Sequence, residues 1–281
     1  MTTMINSTLF QSIKGALAQE KNNSSVSEIL KTETGNTYTV RLLPYAKDPK
    51  KTFFHFFTHG WVSLSTGEYV AALSPQTFGE RDPIAEERYR VLRTGSEDEK
   101  AKIKAVGRSE KWLVNVFVVN DPVNPDNNGK VKILRYGKQL KKIIDEAIDG
   151  EDADEFGPRI FDLSPNGVNL KIKVEKQGDY PSYVSSRFSS PSGLADMDDN
   201  SAKKIYDSAF ELDKVFTLKS YDDLKKMLDD HYHCKVVNDD PAPEVNEAPV
   251  SRPATVATST KAASNSDDDI KSILDSLDVD V

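Results

Sequence analysis

The sequence predicts a mainly β body with helical additions. Three observations carry that class. YTVRLLPY and VNLKIKVEKQ alternate apolar and polar residues with the period of a strand. WLVNVFVV and KVKILRYG flank a connection rich in Pro, Asn, Asp and Gly, the clearest hairpin in the chain. Helical spacing is confined to a few short spans. A small β-barrel is a reasonable container for such strands, and the pattern alone does not separate a barrel from a sandwich.

Taken in order, Ser7 to Gln19 place Phe10, Ile13, Lys14 and Leu17 at helical spacing, and NNSS then reads as a loop. Structure proper is expected from Tyr38, with a first strand that stops at Pro44. TFFHFFTHGWVSL is a dense aromatic run interrupted by Gly60, and STGEYVAAL supplies a turn and a return strand. PIAEERYRVL from Pro83 is helix-like, opened by a proline where a helix tolerates one. After the hairpin, Lys138 to Ile148 switches to helical spacing through Leu140, Ile143, Ile144 and Ala147. VNLKIKVEKQ is a further strand, DYPSYVSSRFSSPSG a loop rich in tyrosine and serine, and AKKIYDSAFELDKVFTLKSYDDLKKMLDDHY two helical segments.

The chain ends differently from its body. A Pro/Ala/Ser/Thr-rich linker over 236–266 leads to the acidic-apolar terminus DDDIKSILDSLDVDV, residues 267–281. Residues 236–281 carry a net charge of −7 out of −8 for the whole chain, so the body is almost neutral. Within it, Lys100 to Ala147 holds eleven basic residues against five acidic ones, a local bias that suits a polyanion. The one cysteine, Cys234, rules out an intrachain disulfide framework. No apolar run has the length of a membrane span and the first residues lack the pattern of a secretory signal, so the cytoplasm is the expected address.

Phosphate-loop, dinucleotide and nucleophile-elbow motifs are absent from the sequence, and its many carboxylates do not single out a catalytic pair. What repeats is aromatic residues interleaved with bases: Tyr89 and Arg90; Lys111 and Trp112; Arg135, Tyr136 and Lys138; Tyr180, Tyr183, Arg187 and Phe188. Cations meet phosphates while flat rings stack on unpaired bases whatever their identity, which is what a single strand offers and a duplex hides. Alternation in KVKILRYGK points Lys132, Leu134 and Tyr136 one way and Ile133 and Arg135 the other, so one strand does not deliver all its groups to one surface. Each ring also has core filling as its alternative; Tyr180 and Tyr183 sit in a segment too polar for that. His55 and His59, and His231, His233 and Cys234, are soft-ligand candidates, but their spacings are not those of a usual structural zinc site and solvation at a helix end accounts for the second group.

YTVRLLPYAKDPKKTFFHFFTHGW, the hairpin through KVKILRYGKQLKKIIDEA, GDYPSYVSSRF and the terminal SILDSLDVDV, in that order, resemble the single-stranded DNA-binding proteins of T4-like bacteriophages from Tyr38 onward, the linker excepted. VVNDPVNPDNNGKV followed by RYGK is the most specific piece. The resemblance implies an OB-fold core at 38–235 with a positive, aromatic-lined cleft. It also implies an N-terminal arm at 1–37 for self-association on DNA, and an acidic tail that meets phage replication and recombination proteins. It places Lys111, Trp112, Arg135, Tyr180 and Tyr183 in or near the cleft, with Arg41, Tyr89, Arg90, Tyr136 and Lys138 added for charge or stacking ability. In the tail, Asp267, Asp268 and Asp269 supply charge, and Ile270, Ile273, Leu274 and Leu277 share helical spacing as an apolar ridge for a partner.

Two departures qualify the resemblance. The family carries a zinc subdomain with one histidine and three cysteines; His59 matches the histidine, but LSPQTFGERDPIAEERY contains no cysteine, so a member without metal or other cofactor is expected. The N-terminal segment offers only Lys14 and Lys21 where a compact basic motif is expected. The function so implied is stoichiometric: sequence-nonspecific coating of single-stranded DNA in the host cytoplasm during replication, recombination and repair. The alternatives are a single-stranded RNA-binding protein, which a competition between DNA and RNA separates, and a non-catalytic phage interaction scaffold. A nuclease would show metal-dependent cleavage, and no acidic cluster at metal spacing sits within the basic regions.

Overall fold

The computed structural model describes residues 26–195 and 197–234. The expected helix at Ser7 to Gln19, the linker and the acidic tail lie outside the described residues.

Among the described residues there are nine strands: β1 (Thr37–Leu43), β2 (Phe53–Val62), β3 (Tyr69–Leu73), β4 (Gly107–Asn120), β5 (Val131–Tyr136), β6 (Leu170–Lys173), β7 (Glu175–Gln177), β8 (Tyr180–Ser182) and β9 (Arg187–Phe188). Five α-helices accompany them in the same residues: α1 (Pro83–Thr94), α2 (Glu97–Ile103), α3 (Lys138–Asp149), α4 (Asp199–Asp207) and α5 (Tyr221–His231). The body is mainly antiparallel β with helical additions, as its alternation predicts.

Everything is organised on β4. Its first half pairs with β2 (Phe53 opposite Val114 through Gly60 opposite Gly107), and its second half pairs on with β1 (Leu43 opposite Asn115 through Thr39 opposite Asn120). Its central residues, Trp112 to Phe117, hold β5. β3 extends the sheet beyond β2, and β6 then β9 extend it beyond β1. One long strand is shared by two partners in succession, an arrangement consistent with an OB-like core.

β1 shows why the residues fold this way: Tyr38, Val40 and Leu42 alternate into the interior, where Val114, Val116, Val118, Leu134 and Ile172 meet them. The helix α3 closes that core with Leu140, Ile144 and Ala147, the face its spacing predicts. Packed structure starts ahead of Tyr38. Ile29 and Leu30 are buried, Leu30 N–H donates to the Ile133 carbonyl at 2.8 Å and Ile133 N–H to that of Glu28 at 2.9 Å, while Lys132 meets the Glu28 carboxylate at 2.7 Å.

A second core forms a helical lobe at the far end of β2, where Trp61 packs with Ile84 and Val91 of α1, Ile103 of α2 and Leu224 and Leu228 of α5. Three starts are capped by sequence: Asp82 accepts from the amides of Ile84 and Ala85, and the pairs Ser96/Glu99 and Ser220/Asp223 form capping boxes on α2 and α5.

Three local expectations change. Gly60 does not interrupt the aromatic run; β2 passes straight through it, paired on both sides, and the position requires glycine because a β-carbon there would overlap the Tyr69 ring that lies across it. The tyrosine-serine segment is not wholly loop, since β8 pairs with β7 and β9 with β6. The helix α2 went unread, although Ser96 and Glu99 were its signal.

Candidate nucleic-acid interface

Alternation puts Phe53, His55, Phe57, His59 and Trp61 on one face of β2. Phe53 joins the main core, His59 is buried and Trp61 joins the helical lobe, so His55 and Phe57 are what this face leaves as an open strip of sheet. Register brings His55, Trp112 and Tyr136 side by side across β2, β4 and β5. The His55 and Trp112 rings stack at 4.9 Å and 18°, and Tyr136 follows at 6.2 Å and 26° from Trp112. Cations border this ladder. Lys141 Nζ lies 5.6 Å from the Trp112 centroid and the Arg108 guanidinium 4.0 Å from that of Phe57, while Phe57 meets His55 edge-on at 4.7 Å. Two carboxylates sit among them: Glu110 is 2.8 Å from His55 Nε2 and 3.9 Å from Lys138 Nζ, and Asp145 pairs with Lys141.

Of the residues named from sequence, Trp112 and Lys138 belong to this strip. Tyr136 belongs in a different capacity: it is buried, its hydroxyl has no hydrogen-bond partner among the described residues, and burial pushes its phenol well above the usual range. It backs Trp112 rather than offering a ring face. Lys111 and Arg135 face the other way, opposite Phe56 and Leu113 respectively. Lys111 is buried, and burial pulls the Arg135 guanidinium down to about 9, still charged at neutral pH.

Arg41 corrects its assignment outright. It is fully buried, with Nε donating to Asn169 Oδ1 at 2.9 Å, Nη1 to the carbonyls of Asp162 and Ser164 at 3.0 Å, and Nη2 to the Ser192 carbonyl at 2.7 Å. Burial lowers its pKa, and its donors are committed to knitting the 162–169 loop onto β1. Tyr89 and Arg90 stand on the outside of α1: Tyr89 is 66% exposed, and Arg90 makes a two-pronged bond with Glu87. No contact joins them to the strip.

Tyr180 and Tyr183 lie on a hairpin arm, Leu170 to Phe188. Tyr180 is half exposed at its tip. Tyr183 is partly buried against the main core; its hydroxyl bonds Thr32 Oγ1 at 3.0 Å and its N–H donates to Gln139 Oε1 at 2.6 Å. That last bond ties the arm to α3, the helix that brings Lys138 and Lys141 to Trp112. The tail residues Asp267, Asp268, Asp269, Ile270, Ile273, Leu274 and Leu277 lie outside the described residues.

His55, Phe57 and Arg108 also lie in the candidate strip but were not named from sequence. The signal was the period of β2, which puts His55 and Phe57 on one face; which part of that face stays open is decided by the helical lobe.

His59 has a different role. Its Nε2 is 2.8 Å from Asp82 Oδ2, which also accepts from Ser74 Oγ at 2.5 Å, while Asp82 Oδ1 caps α1. Both side chains are buried. Burial alone would raise the Asp82 pKa, but the bonds from His59, Ser74 and the helix amides hold it below the usual carboxylate range. These residues do not fit a structural zinc: one imidazole is committed to a carboxylate that already receives four donors, and no thiolate is at hand. Among the described residues no group of three or more His, Cys, Asp or Glu is placed to hold a metal, and no helix is long and apolar enough to cross a membrane.

A family model described as gp32 DNA binding protein like matches residues 33–235. Two curated proteins, the single-stranded DNA-binding proteins of Enterobacteria phage T4 and of Enterobacteria phage T2, are each 26% identical to the chain over 191 residues. The matched stretch covers 66% of this chain and 62% of each relative, less than two thirds of their length.

Proposed function

The chain belongs to the gp32 DNA-binding-protein-like family, and on that premise we propose that it binds single-stranded DNA without regard to base sequence. The observation that carries the proposal is the ladder of His55, Trp112 and Tyr136, bordered by Arg108, Lys138 and Lys141 on an open stretch of sheet. A partly buried indole held by its neighbours is a stacking platform for an unpaired base, and cations beside it meet the adjoining phosphates. The bands of charge and ring need no particular base, so binding follows the phosphate count and weakens with salt.

The action is stoichiometric, not catalytic. Coating holds exposed strands free of hairpins in the cytoplasm of an infected host cell during replication, recombination and repair. The acidic terminus recruits replication proteins through Ile270, Ile273, Leu274 and Leu277 with Asp267, Asp268 and Asp269 beside them, and the N-terminal arm serves self-association on the strand.

Binding to a long unstructured DNA strand across a salt series, with duplex and RNA of equal length as competitors, tests the proposal. Tight, salt-sensitive preference for single-stranded DNA is the expected result; equal competition by duplex overturns it, and stronger competition by RNA transfers the strip to an RNA ligand.

A further inference from the structure

At the base of the hairpin arm, alternation sends Leu170, Ile172 and Phe188 into the main core and turns Lys171 and Arg187 outward, both exposed. Register sets Lys171 directly opposite Arg187 on one side and opposite Thr39 on the other. Lys173 continues the row opposite Thr37, with its ammonium 2.6 Å from Glu175. Lys171 and Arg187 have no side-chain hydrogen-bond or ion-pair partner among the described residues, and what sets them apart is that register places the two cations opposite each other. Like charges directly opposite one another destabilise a strand pair. Two such cations kept opposite each other without a carboxylate mark a place where an anion from outside completes the arrangement.

Their face is not that of the aromatic strip. Leu170 pairs with Val40 and Val40 with Val118, which shares its face of β4 with Trp112; Lys171, one residue further, points the other way. The two faces are joined by the arm itself, which Tyr183 ties to α3 beside the strip. Resting on the single-stranded DNA reading above, we propose that Lys171 and Arg187 form a second contact for the phosphate backbone, engaging a strand after it has left the strip and passed over the arm. The row offers ammonium, guanidinium and the hydroxyls of Thr37 and Thr39 with no exposed apolar side chain. That chemistry suits phosphates and gives no seat to an acidic peptide with an apolar ridge.

The full chain carrying Lys171→Glu and Arg187→Glu, both at the exposed surface, is compared with the unaltered protein on a strand of about eight nucleotides, short enough for one cleft, and on one of about sixty. Affinity for the short strand is expected to be unchanged. On the long strand it should fall about tenfold, with the slope of log K against log salt reduced by about 1.4, two phosphates at ~0.7 each. Equal losses on both strands would overturn the proposal by assigning the pair to the strip. Unchanged binding to both would overturn it too, and if a peptide of residues 267–281 then binds the variant more weakly, the row is a protein contact. Trp112→Ala, run alongside on the short strand, reports separately on the strip: no loss there would sink the single-strand reading whatever the length comparison gives.

Discussion

His55 lies directly across the β2–β4 pairing from Trp112, and their rings stack 4.9 Å apart at 18°. With Tyr136 behind, the indole is held in one orientation before any ligand arrives, so a base that stacks on it loses little to ordering the protein. Trp112→Ala is expected to weaken binding to a short DNA strand by about 10- to 100-fold, the span of one base–aromatic stack. His55→Ala should cost less, because the indole survives but loses its support. Fluorescence titration, with circular dichroism to show that the fold persists, checks both.

Glu110 sits in this strip between His55 at 2.8 Å and Lys138 at 3.9 Å. Removing its charge frees Lys138 for phosphate and removes a repulsion beside it. Glu110→Gln should therefore tighten binding about fivefold at low salt, the equivalent of ~1 kcal/mol, and the gain should fade as salt screens the site. An affinity that falls, or a gain that ignores salt, speaks against this role for the carboxylate.

The His59–Asp82–Ser74 network anchors the helical lobe to β2. Asp82 has its pKa depressed in the folded state, so its contribution is fully present above the ordinary carboxylate range and is lost as pH falls through the folded value. Denaturant melts should show the chain losing stability from about pH 4 downward. Asp82→Asn should cost about 3 kcal/mol at neutral pH and remove that part of the acid dependence. Acid sensitivity left intact in the variant would place its origin elsewhere.

Arg41 gives the opposite signature. With its guanidinium committed to Asn169 and three carbonyls, Arg41→Met is expected to cost about 3 kcal/mol by leaving buried acceptors unmet. DNA affinity per folded molecule should stay unchanged. Arg41→Lys should not restore stability, because an ammonium cannot span acceptors arranged for a planar fork.

Arg41 also shows where sequence stops being informative. An arginine in an alternating strand looks the same whether it meets phosphate or buried carbonyls, and only the loop at 162–169 folding over it decides. The hairpin of β4 and β5, the helix α1 and the apolar face of α3 were all legible, because alternation, Asp82 before Pro83 and the spacing of Leu140, Ile144 and Ala147 are local signals. Trp112 and Lys138, named by residue type, both fall in the candidate strip. His55 and Phe57 were not named, since one face of β2 is covered at both ends and open in the middle, and coverage comes from residues far along the chain. The strands β8 and β9 escaped because each has only two or three residues, set among serine and proline.

The reliance of the sheet on β4 has a consequence for synthesis. The strands β1 and β2 leave the ribosome well before residues 107–120, and their main partner does not yet exist. During that interval the aromatic run of β2 and the apolar side of β1 are exposed together, an interval in which a nascent chain is open to wrong pairings with its neighbours. Pairing of β1 and β2 through β4 is therefore timed by the emergence of one strand from the middle of the chain, and rapid translation through residues 63–106 shortens the vulnerable period.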